Sequence, residues 1–280
     1  MRFTKAHGTG NDFVVVGDLE DAWKPNEDFV RAVCDRRFGV GADGLIRIAP
    51  AADGAHFMDY WNADGTTAEM CGNGVRVVGK WLGDRGLADG PSAAIETRSG
   101  LRTVELRRDD AGLVTEVRVD MGPPVLVPAD IPVEAADPLH VPLEVDGERF
   151  EAACVSMGNP HAVIFIDGVD ELPIERIGPV IERHPLFPAK TNVEFVEAAG
   201  PQRLRMRVWE RGVGETFACG TGACAVGVAG VLRGMSGREV DVELRGGTLR
   251  IEWTPETVLM TGPAVEVFEG ELAEALTALL

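Results

Sequence analysis

The chain has 280 residues, a hydrophobic content of 45%, a formal charge of −18 and a pI of about 4.7. This length allows one large domain or two of ordinary size, and the acidic balance argues against a nucleic-acid-binding protein, which needs a basic face. No apolar run is long enough to span a bilayer, and residues 1–5 lead into a strand-like segment without the apolar core of a signal peptide. We therefore expect a cytoplasmic protein that binds neither nucleic acid nor membrane.

Both halves of the chain show the patterns of short strands mixed with a few helices. Hydrophobic alternation predicts strands at residues 14–16, 45–48, 56–61, 94–97, 102–106 and 114–120. Residues 26–37 are amphipathic and predict a helix, and Pro-rich turns at 121–124 and 128–142 mark the join between the halves. The second half repeats the strands at 161–166, 193–196, 203–209, 240–244, 248–253 and 257–261, and residues 271–280 are predicted as a helical tail.

One predicted helix in each half has an unusual composition. Thr221–Leu232 is small and apolar around its whole circumference, and Gly74–Leu82 is similar apart from Arg76 and Lys80. A helix of this kind must be enclosed on all sides. Its glycines lower helix propensity, so close packing against surrounding strands must offset that cost. We therefore predict an α+β fold with two lobes, each a strongly curved mixed sheet rolled around one central helix.

An internal duplication relates the two halves at an offset of 148 positions. Cys71-Gly72-Asn73-Gly74 recurs as Cys219-Gly220-Thr221-Gly222, and seven identities lie in register between residues 58 and 79 without a gap. The other recurring residues are Gly10-Asn11 with Gly158-Asn159, Met58 and Trp61 with Met206 and Trp209, Val78-Gly79 with Val226-Gly227, and Leu101-Arg102 with Leu249-Arg250. A period near half the chain indicates two pseudo-symmetric lobes rather than a solenoid. If the lobes face each other, two matched thiols face one cavity.

The five cysteines divide into two groups, and none has the spacing of zinc ligands. Cys34, Cys154 and Cys224 lie in apolar segments, which favours buried, inert thiols. Cys71 and Cys219 are each predicted to begin a helix, where N–H groups and the helix dipole stabilise a thiolate and bind anions. In such a setting the pKa of a cysteine can fall from about 8.5 to about 3.5–7.5.

Two thiols on opposite sides of one carbon can invert a stereocentre. One, as thiolate, removes a proton from one face, and the other, as thiol, donates a proton to the opposite face. Helix termini aimed at the substrate carboxylate would stabilise the developing enolate. No metal site or lysine for pyridoxal phosphate is evident, so we expect no cofactor. The alternatives are a redox or structural cysteine pair, although neither motif is Cys-x-x-Cys, and an amino-acid-binding protein without catalysis.

Several longer motifs extend the pattern beyond the cysteines. They are Gly8–Phe13, Asn62–Gly65, Glu69–Gly74, Gly158–His161, Thr191–Glu194 and Trp209–Thr216, which leads to Ala218–Gly222. In this order, and over nearly the whole chain, they resemble the diaminopimelate epimerase family. The cysteine motifs alone would indicate the wider group that includes proline racemases. The resemblance is narrowed to the epimerase by three further elements, which are Asn62, Asn159-Pro160-His161 and Glu210-Arg211-Gly212. An isomerase of the phenazine-biosynthesis type shares the two-lobed fold but lacks the paired cysteines.

The resemblance implies an isomerase that converts LL-2,6-diaminopimelate to meso-2,6-diaminopimelate without a cofactor, in lysine and peptidoglycan-precursor biosynthesis. The alternative is a related amino-acid racemase of the proline-racemase type. The resemblance also implies a homodimer, an N-terminal lobe of residues 1–117 plus 265–280, a C-terminal lobe of residues 118–264, and an active site in the cleft between them.

The resemblance assigns roles to individual residues. Cys71 and Cys219 are the implied catalytic bases, with His161 and Glu210 in support. The implied substrate contacts are Asn11, Asn62, Gly72, Asn73, Gly74, Asn159, Asn192, Glu210, Arg211, Gly220 and Thr221. Arg211 suits a bidentate pair with the distant carboxylate of the substrate. Some family members carry a substrate-contacting Gln at the position of Gly44, and this chain lacks that side chain.

Plainer interpretations of several polar residues remain open. Asn11 and Asn62 suit turns, Asn159 precedes a proline and could shape a bend, and His161 could be a satisfied core histidine. At the 148 offset Glu210 matches Asn62, and His161 matches Phe13. The lobes therefore differ at polar positions, which is expected if one end of the substrate does not react.

Overall fold

Two units of similar size make up the computed structural model, which describes residues 1–88, 90–200 and 202–280. Unit 1 comprises Met1–Val119 and Gly262–Leu280, and unit 2 comprises Asp120–Thr261. The strands are β1 Arg2–Gly8, β2 Asn11–Gly17, β3 Gly44–Pro50, β4 His56–Asn62, β5 Ser92–Thr97, β6 Gly100–Arg108, β7 Val114–Asp120, β8 Val141–Val145, β9 Glu148–Ser156, β10 Pro160–Phe165, β11 Asn192–Gly200, β12 Arg203–Glu210, β13 Gly214–Thr216, β14 Glu239–Leu244, β15 Gly247–Trp253, β16 Val258–Pro263 and β17 Val265–Glu271. The α-helices are α1 Glu27–Cys34, α2 Gly72–Asp84, α3 Ile174–Glu182, α4 Gly220–Leu232 and α5 Glu274–Thr277.

Unit 1 is built on a mixed sheet in which the first and last strands of the chain are neighbours. The strand order is β17-β1-β2-β3-β4-β5-β6-β7. The pairs β2–β3 and β4–β5 are parallel, and the other neighbours in this order are antiparallel. On one side of this sheet α1 buries Phe29, Val30 and Val33 against apolar residues of β2 and β3, including Val14 and Leu45.

Unit 2 repeats this sheet strand for strand. Its order is β8-β9-β10-β11-β12-β14-β15-β16, with β10–β11 and β12–β14 parallel and the other neighbours antiparallel. The short β13 pairs with the end of β12. The helix α3 buries Ile174, Ile177 and Ile181 against β11. The pattern of parallel and antiparallel neighbours is that of unit 1, so the duplication read from sequence extends to the backbone.

The central helices α2 and α4 span residues that coincide at the 148 offset. Residues of both are buried around most of the circumference, and α2 contacts β1, β5 and β6 while α4 contacts β9, β14 and β15. A Cβ at Gly227 would lie 2.6 Å from Ile251 Cγ2, so a larger residue there would clash with β15. The prediction of an enclosed small-residue helix in each half, within an α+β fold, is confirmed.

The predicted elements are largely confirmed, with two corrections. The helix predicted over residues 26–37 ends at Cys34, because the chain turns through residues 35–38 with Asp35 Oδ1 accepting from Arg37 N and Phe38 N. The helical tail predicted over residues 271–280 is wrong, because Glu271 ends β17 and the only helix there is the single turn α5, in a stretch that the structure fully describes. The cysteines expected to be inert, Cys34, Cys154 and Cys224, are all buried.

Candidate active site

Each motif cysteine is the N-cap residue of its central helix. Cys71 Sγ accepts from Gly74 N at 3.4 Å, and Cys219 Sγ accepts from Gly222 N at 3.4 Å. Both cysteines have extended backbone angles, as N-cap residues usually do. Each sulfur therefore lies at the positive end of a helix dipole, where an anion is stabilised. The predicted place of both thiols at helix N-termini is confirmed.

In unit 1 the amide of Asn11 links Cys71 to an acidic residue of the neighbouring strand. Asn11 Nδ2 donates to Asp43 Oδ2 at 2.9 Å, which fixes the orientation of the amide. The opposite end, Asn11 Oδ1, accepts from Asn73 Nδ2 at 3.2 Å and lies 3.7 Å from Cys71 Sγ, which donates to it. The structure thus brings three of the predicted site residues together and adds Asp43, which was not predicted.

Asp43 itself belongs to a charged cluster with Asp12, Arg36 and Lys5. Arg36 Nη2 bridges Asp12 Oδ1 and Asp43 Oδ1 at 2.7 Å each, and Lys5 Nζ donates to Asp12 Oδ2 at 2.6 Å. Burial opposes ionisation of Asp12, but hydrogen bonds from Arg36 and Lys5 hold its pKa well below the usual range. The cluster therefore holds Asp12 in its charged form and fixes the position of Asp43 behind Asn11.

A fully buried guanidinium lies beneath the N-terminus of α2. Arg76 Nη2 donates to Asn73 Oδ1 at 2.9 Å and to Thr9 Oγ1 at 3.2 Å, and Arg76 Nε donates to Pro263 O at 3.3 Å. At the 148 offset Arg76 corresponds to Cys224, so unit 2 has no cation at this position. Arg76 fixes Asn73, which in turn faces Asn11 and the thiol.

Asn62 lies at the end of β4, and its hydrogen bonds close a turn. Its Nδ2 donates to Thr66 Oγ1 at 3.0 Å, and its backbone N–H donates to Thr66 O at 2.8 Å. Gly44, at the start of β3, is the strand partner of both Phe13 and Asn62. The structure therefore supports the turn interpretation of Asn62 and places it at the sheet edge that also begins β2 beside Asn11.

In unit 2 the carboxyl group of Glu210 and the hydroxyl group of Thr221 lie beside Cys219. Thr221 Oγ1 lies 3.5 Å from Cys219 Sγ. Thr216 Oγ1 donates to Glu210 Oε1 at 2.5 Å. Burial raises the pKa of Glu210, while hydrogen bonds from Thr216 and from the Cys219 thiol pull it down. Glu210 is therefore in contact with the thiol, as the resemblance implies.

The pKa of Cys219 reflects two opposing effects. Burial raises it well above the usual value, and the nearby charges of Glu210 and Glu194 raise it further. Hydrogen bonds from Thr221 and Gly222 N lower it, but they do not outweigh desolvation. The position at a helix N-terminus favours a thiolate, but the burial of the sulfur, which the sequence does not show, opposes it.

His161 lies between Glu194 and Asn159 in a hydrogen-bonded row. Its Nδ1 lies 2.7 Å from Glu194 Oε1, and its Nε2 lies 3.0 Å from Asn159 Oδ1. Neither His161 nor Glu194 has an exposed side chain. Glu194 was part of a quoted motif but was not predicted as a site residue, because a glutamate within an apolar strand gives no sign of the face it occupies.

Asn192 and Arg211 form a second contact at the same sheet edge. Asn192 Nδ2 donates to Pro160 O at 2.8 Å, and its Oδ1 accepts from Arg211 N at 2.9 Å. The Arg211 side chain is exposed and donates Nη1 to Ala189 O at 3.1 Å. Asn192 therefore holds the backbone of Arg211, which begins the loop between β12 and β13. The guanidinium of Arg211 extends from this loop.

The two units differ in the side chain that lies beside the matched glycines Gly222 and Gly74. A Cβ at Gly222 would lie 2.7 Å from Glu194 Oε1 and 3.3 Å from Cys219 Sγ. A Cβ at the matched Gly74 would lie 3.2 Å from Ile46 Cδ1. Glu194 and Ile46 correspond at the 148 offset. The same place beside the helix N-terminus therefore holds a carboxylate in unit 2 and a methyl group in unit 1.

This contrast gives a matched pair of substitutions. Gly222→Ala is expected to lower kcat/KM by about a hundredfold, because the new methyl group would crowd Glu194 Oε1 and Cys219 Sγ, and a misplacement near 1 Å can cost that much. Gly74→Ala is expected to lower it by less than about tenfold, because the Ile46 side chain can rotate away. Steady-state kinetics on both variants checks this, and equal losses would show that the difference between the carboxylate and the methyl group does not affect activity.

Among the described residues, no group of three or more His, Cys, Asp or Glu side chains could hold a metal ion. In the same part of the chain, no helix has the length and apolar character needed to cross a membrane.

Comparisons with known proteins cover nearly the whole chain. A family profile described as "Diaminopimelate epimerase" matches residues 3–127 and 153–267. A diaminopimelate epimerase from Acetivibrio thermocellus is 50% identical over 276 residues, which cover 97% of this chain and 98% of that protein. One from Leptospira biflexa is 47% identical over 276 residues, with coverage of 97% and 99%.

Solved structures share the fold at much lower identity. A probable proline racemase from Agrobacterium radiobacter K84 has a TM-score of 0.72 at 16% identity, covering 98% of this chain and 93% of that one. A phenazine biosynthesis protein from Bacillus anthracis has a TM-score of 0.71 at 18% identity, covering 98% and 99%. These likenesses confirm the fold class, and the sequence relatives decide within it: this chain belongs to the diaminopimelate epimerase family.

Proposed function

We propose that this protein epimerises LL-2,6-diaminopimelate to meso-2,6-diaminopimelate by a two-base mechanism in lysine and peptidoglycan-precursor biosynthesis. The observation that carries the proposal is the matched pair of thiols, Cys71 and Cys219, each capping the central helix of one unit. Relatives about half identical to this chain bear the name of this activity. A reaction that removes and delivers the same kind of proton needs two equivalent groups, and the duplication supplies them.

In this mechanism the two thiols act on opposite faces of one Cα. The thiolate form of one cysteine takes the α-proton, and the thiol of the other gives a proton to the opposite face, so the configuration inverts. In the reverse direction the roles exchange. We propose that residues 1–117 with 265–280 form one lobe, that residues 118–264 form the other, and that the active site lies between them, because inversion requires both sulfurs at one carbon.

The backbone at the two helix N-termini suits the reacting carboxylate. N–H groups in the first turn of a helix bind anions and stabilise charge that develops in the transition state. We assign this role to the first turns of α2 and α4, through Gly72, Asn73, Gly74, Gly220 and Thr221. The glycines allow close approach of the substrate to the backbone. No cofactor takes part in the proposed mechanism, because the enolate is stabilised by these dipoles.

The polar residues at the sheet edges suit the distant end of the substrate. Diaminopimelate carries a second ammonium and carboxylate, and an exposed guanidinium such as that of Arg211 can bind a carboxylate in a bidentate pair. Asn11, Asn62, Asn159, Asn192 and Glu210 supply further donors and acceptors. A substrate with a small apolar side chain would leave this set unsatisfied, which disfavours the proline-racemase alternative.

The raised pKa of Cys219 bears on the role that this thiol takes in the first proton transfer. A thiol with a raised pKa is protonated at neutral pH, so Cys219 is ready to act as the acid before substrate arrives. To act as the base it must lose a proton, and the substrate ammonium can help by adding positive charge near the sulfur. We therefore assign Cys219 the role of proton donor when the bound isomer presents its α-hydrogen to Cys71.

Isotope exchange tests the proposed activity. Incubation with meso-diaminopimelate in heavy water is expected to place deuterium at Cα in both stereoisomers, because the incoming proton comes from a thiol that equilibrates with solvent. Mass spectrometry and chiral chromatography measure label and configuration together. Proline and hydroxyproline serve as controls. Exchange in them and none in diaminopimelate would assign the chain to the proline-racemase relatives.

We further propose that the protein is a cytoplasmic homodimer. The support is the resemblance itself, together with free cysteines at all five positions, which suit a reducing compartment. Sedimentation at micromolar concentration tests the dimer directly.

A further inference from the structure

The carboxyl group of Glu194 is the least satisfied polar group near Cys219. Its side chain is fully buried, Oε1 lies 2.7 Å from His161 Nδ1, and Oε2 is buried without a hydrogen-bond partner among the described residues. A buried carboxylate with one oxygen unpaired is costly unless the group is neutralised. The imidazole of His161 is the neighbour that can do so.

The protons of this pair can be counted from its contacts. Asn159 Oδ1 accepts from His161 Nε2, so Nε2 carries a proton. One further proton lies between His161 Nδ1 and Glu194 Oε1. The pair is then either imidazolium with carboxylate or imidazole with carboxylic acid, and in both forms it holds two protons and no net charge.

The pair lies beside the reacting thiol. Glu194 Oε1 and Cys219 Sγ flank Gly222, because a Cβ on that glycine would lie 2.7 Å from the first and 3.3 Å from the second. Glu210 lies beside the same thiol, so Cys219 has two carboxyl groups near it, and His161 is linked to this group through Glu194. When Cys219 becomes a thiolate, an unneutralised Glu194 would add a second buried negative charge next to it.

Unit 1 has none of these titratable groups at the matched positions. His161, Glu194 and Glu210 correspond to Phe13, Ile46 and Asn62 at the 148 offset. The backbone arrangement does not require a carboxylate at position 194, since unit 1 buries Ile46 at the equivalent place on its own sheet. The carboxylate is thus specific to the half-site of Cys219.

We propose that Glu194 is a positioning residue for proton transfer at Cys219, acting through His161, which it holds in the orientation and protonation state that keep the pair neutral beside the thiolate. The inference rests on the proposed function, because it concerns the same reaction. It assigns to Glu194 no contact with substrate.

A double-mutant cycle tests whether Glu194 acts through His161. Glu194→Gln keeps the size of the side chain and removes its charge, and is expected to lower kcat by about tenfold to a hundredfold with KM within about twofold. His161→Gln is expected to lower kcat as well. The double variant is expected to match His161→Gln alone within about threefold, because the carboxylate then has nothing to position.

The matched control is Glu197→Gln, the same change on the same strand. Glu197 is partly exposed, accepts from Gly168 N at 3.3 Å and lies 3.8 Å from Arg205. The kcat of Glu197→Gln is therefore expected to stay within about twofold of the wild-type value. The proposal is overturned if Glu194→Gln keeps at least half of the wild-type kcat, or if the losses of the two single variants multiply in the double variant.

A second measurement needs no substrate and so separates this proposal from the proposed function. In protein labelled with ¹⁵N-histidine, the His161 Nε2 signal is expected to show an attached proton, and the Nδ1 signal to show the hydrogen bond with Glu194 Oε1. In Glu194→Gln the Nδ1 signal is expected to shift. An Nδ1 signal that is unchanged in Glu194→Gln would refute the pair even in an active epimerase. If the pair is present in a protein that does not epimerise diaminopimelate, only the proposed function fails.

If Glu194→Gln does not fold, Glu194→Asp replaces it in both measurements. The aspartate keeps the charge but is one methylene shorter, so kcat is expected to fall as the Nδ1 signal shifts. A shifted signal with wild-type kcat overturns the positioning role.

Discussion

Cys71→Ala and Cys219→Ala are each expected to lower kcat/KM for diaminopimelate epimerisation by about a hundredfold to ten-thousandfold. Alanine at either position removes a group that must accept or donate a proton, and one proton transfer of this kind contributes about 10²–10⁴ in rate. Solvent cannot replace the thiol easily, because Cys219 is buried. Chiral chromatography of the product pool over time measures the loss.

The matched control is a cysteine of unit 2 outside the site. Cys154 is buried on β9, and burial raises its pKa to about 12, so it carries no thiolate at neutral pH. Cys154→Ala is expected to keep kcat/KM within about threefold of wild type, although the lost packing lowers stability. Wild-type epimerisation by Cys71→Ala or by Cys219→Ala would eliminate the two-base mechanism.

Arg47→Leu is expected to lower the free energy of unfolding by about 3–5 kcal/mol, the cost of breaking a buried ion pair from one side. The Arg47 side chain is 1% exposed and lies 2.6 Å from Asp18 Oδ2 and 3.7 Å from Asp59 Oδ2, with Asp21 as a third partner. Removing the guanidinium leaves the buried carboxylates Asp18 and Asp59 with less compensation. Urea unfolding followed by far-UV circular dichroism measures the change.

An exposed arginine of the same unit provides the comparison. Arg31 is 50% exposed and pairs with Glu27 Oε2 at 2.8 Å on α1. Arg31→Leu is expected to change the free energy of unfolding by less than about 1 kcal/mol, because a solvated pair contributes little. Equal effects at the two arginines would show that burial of Arg47 is not the source of its importance.

The parts of the fold that the sequence predicted are those with a strong local pattern. The small-residue segments of α2 and α4 could only be enclosed helices, and the alternation in β4, β12 and β15 could only suit half-buried strands. The helix α3 was not predicted, because Pro179 and Gly178 interrupt its apolar pattern. Pairing of β17 with β1 joins residues more than 250 positions apart, and no local pattern carries that information. Only the family resemblance placed residues 265–280 with the N-terminal lobe.

The candidate site was predicted to a similar extent. The duplication identified both thiols and the glycines after them, since those features repeat in the sequence itself. Asp43 and Glu194 were not predicted as site residues, because their roles come from neighbours on adjacent strands rather than from spacing along the chain. The pKa of Cys219 could not be predicted for the same reason, because burial and two nearby carboxylates appear only when the strands are assembled.

The pairing of β17 with β1 has a consequence for the order in which the chain folds during synthesis. Unit 2 is one continuous segment and can complete its sheet as soon as β16 has left the ribosome. Unit 1 leaves the ribosome first, yet β1 lacks one of its two neighbours until Val265–Glu271 has been made. An unpaired strand side is a site for misassembly. The half whose first strand is synthesised first is therefore the last to complete its sheet.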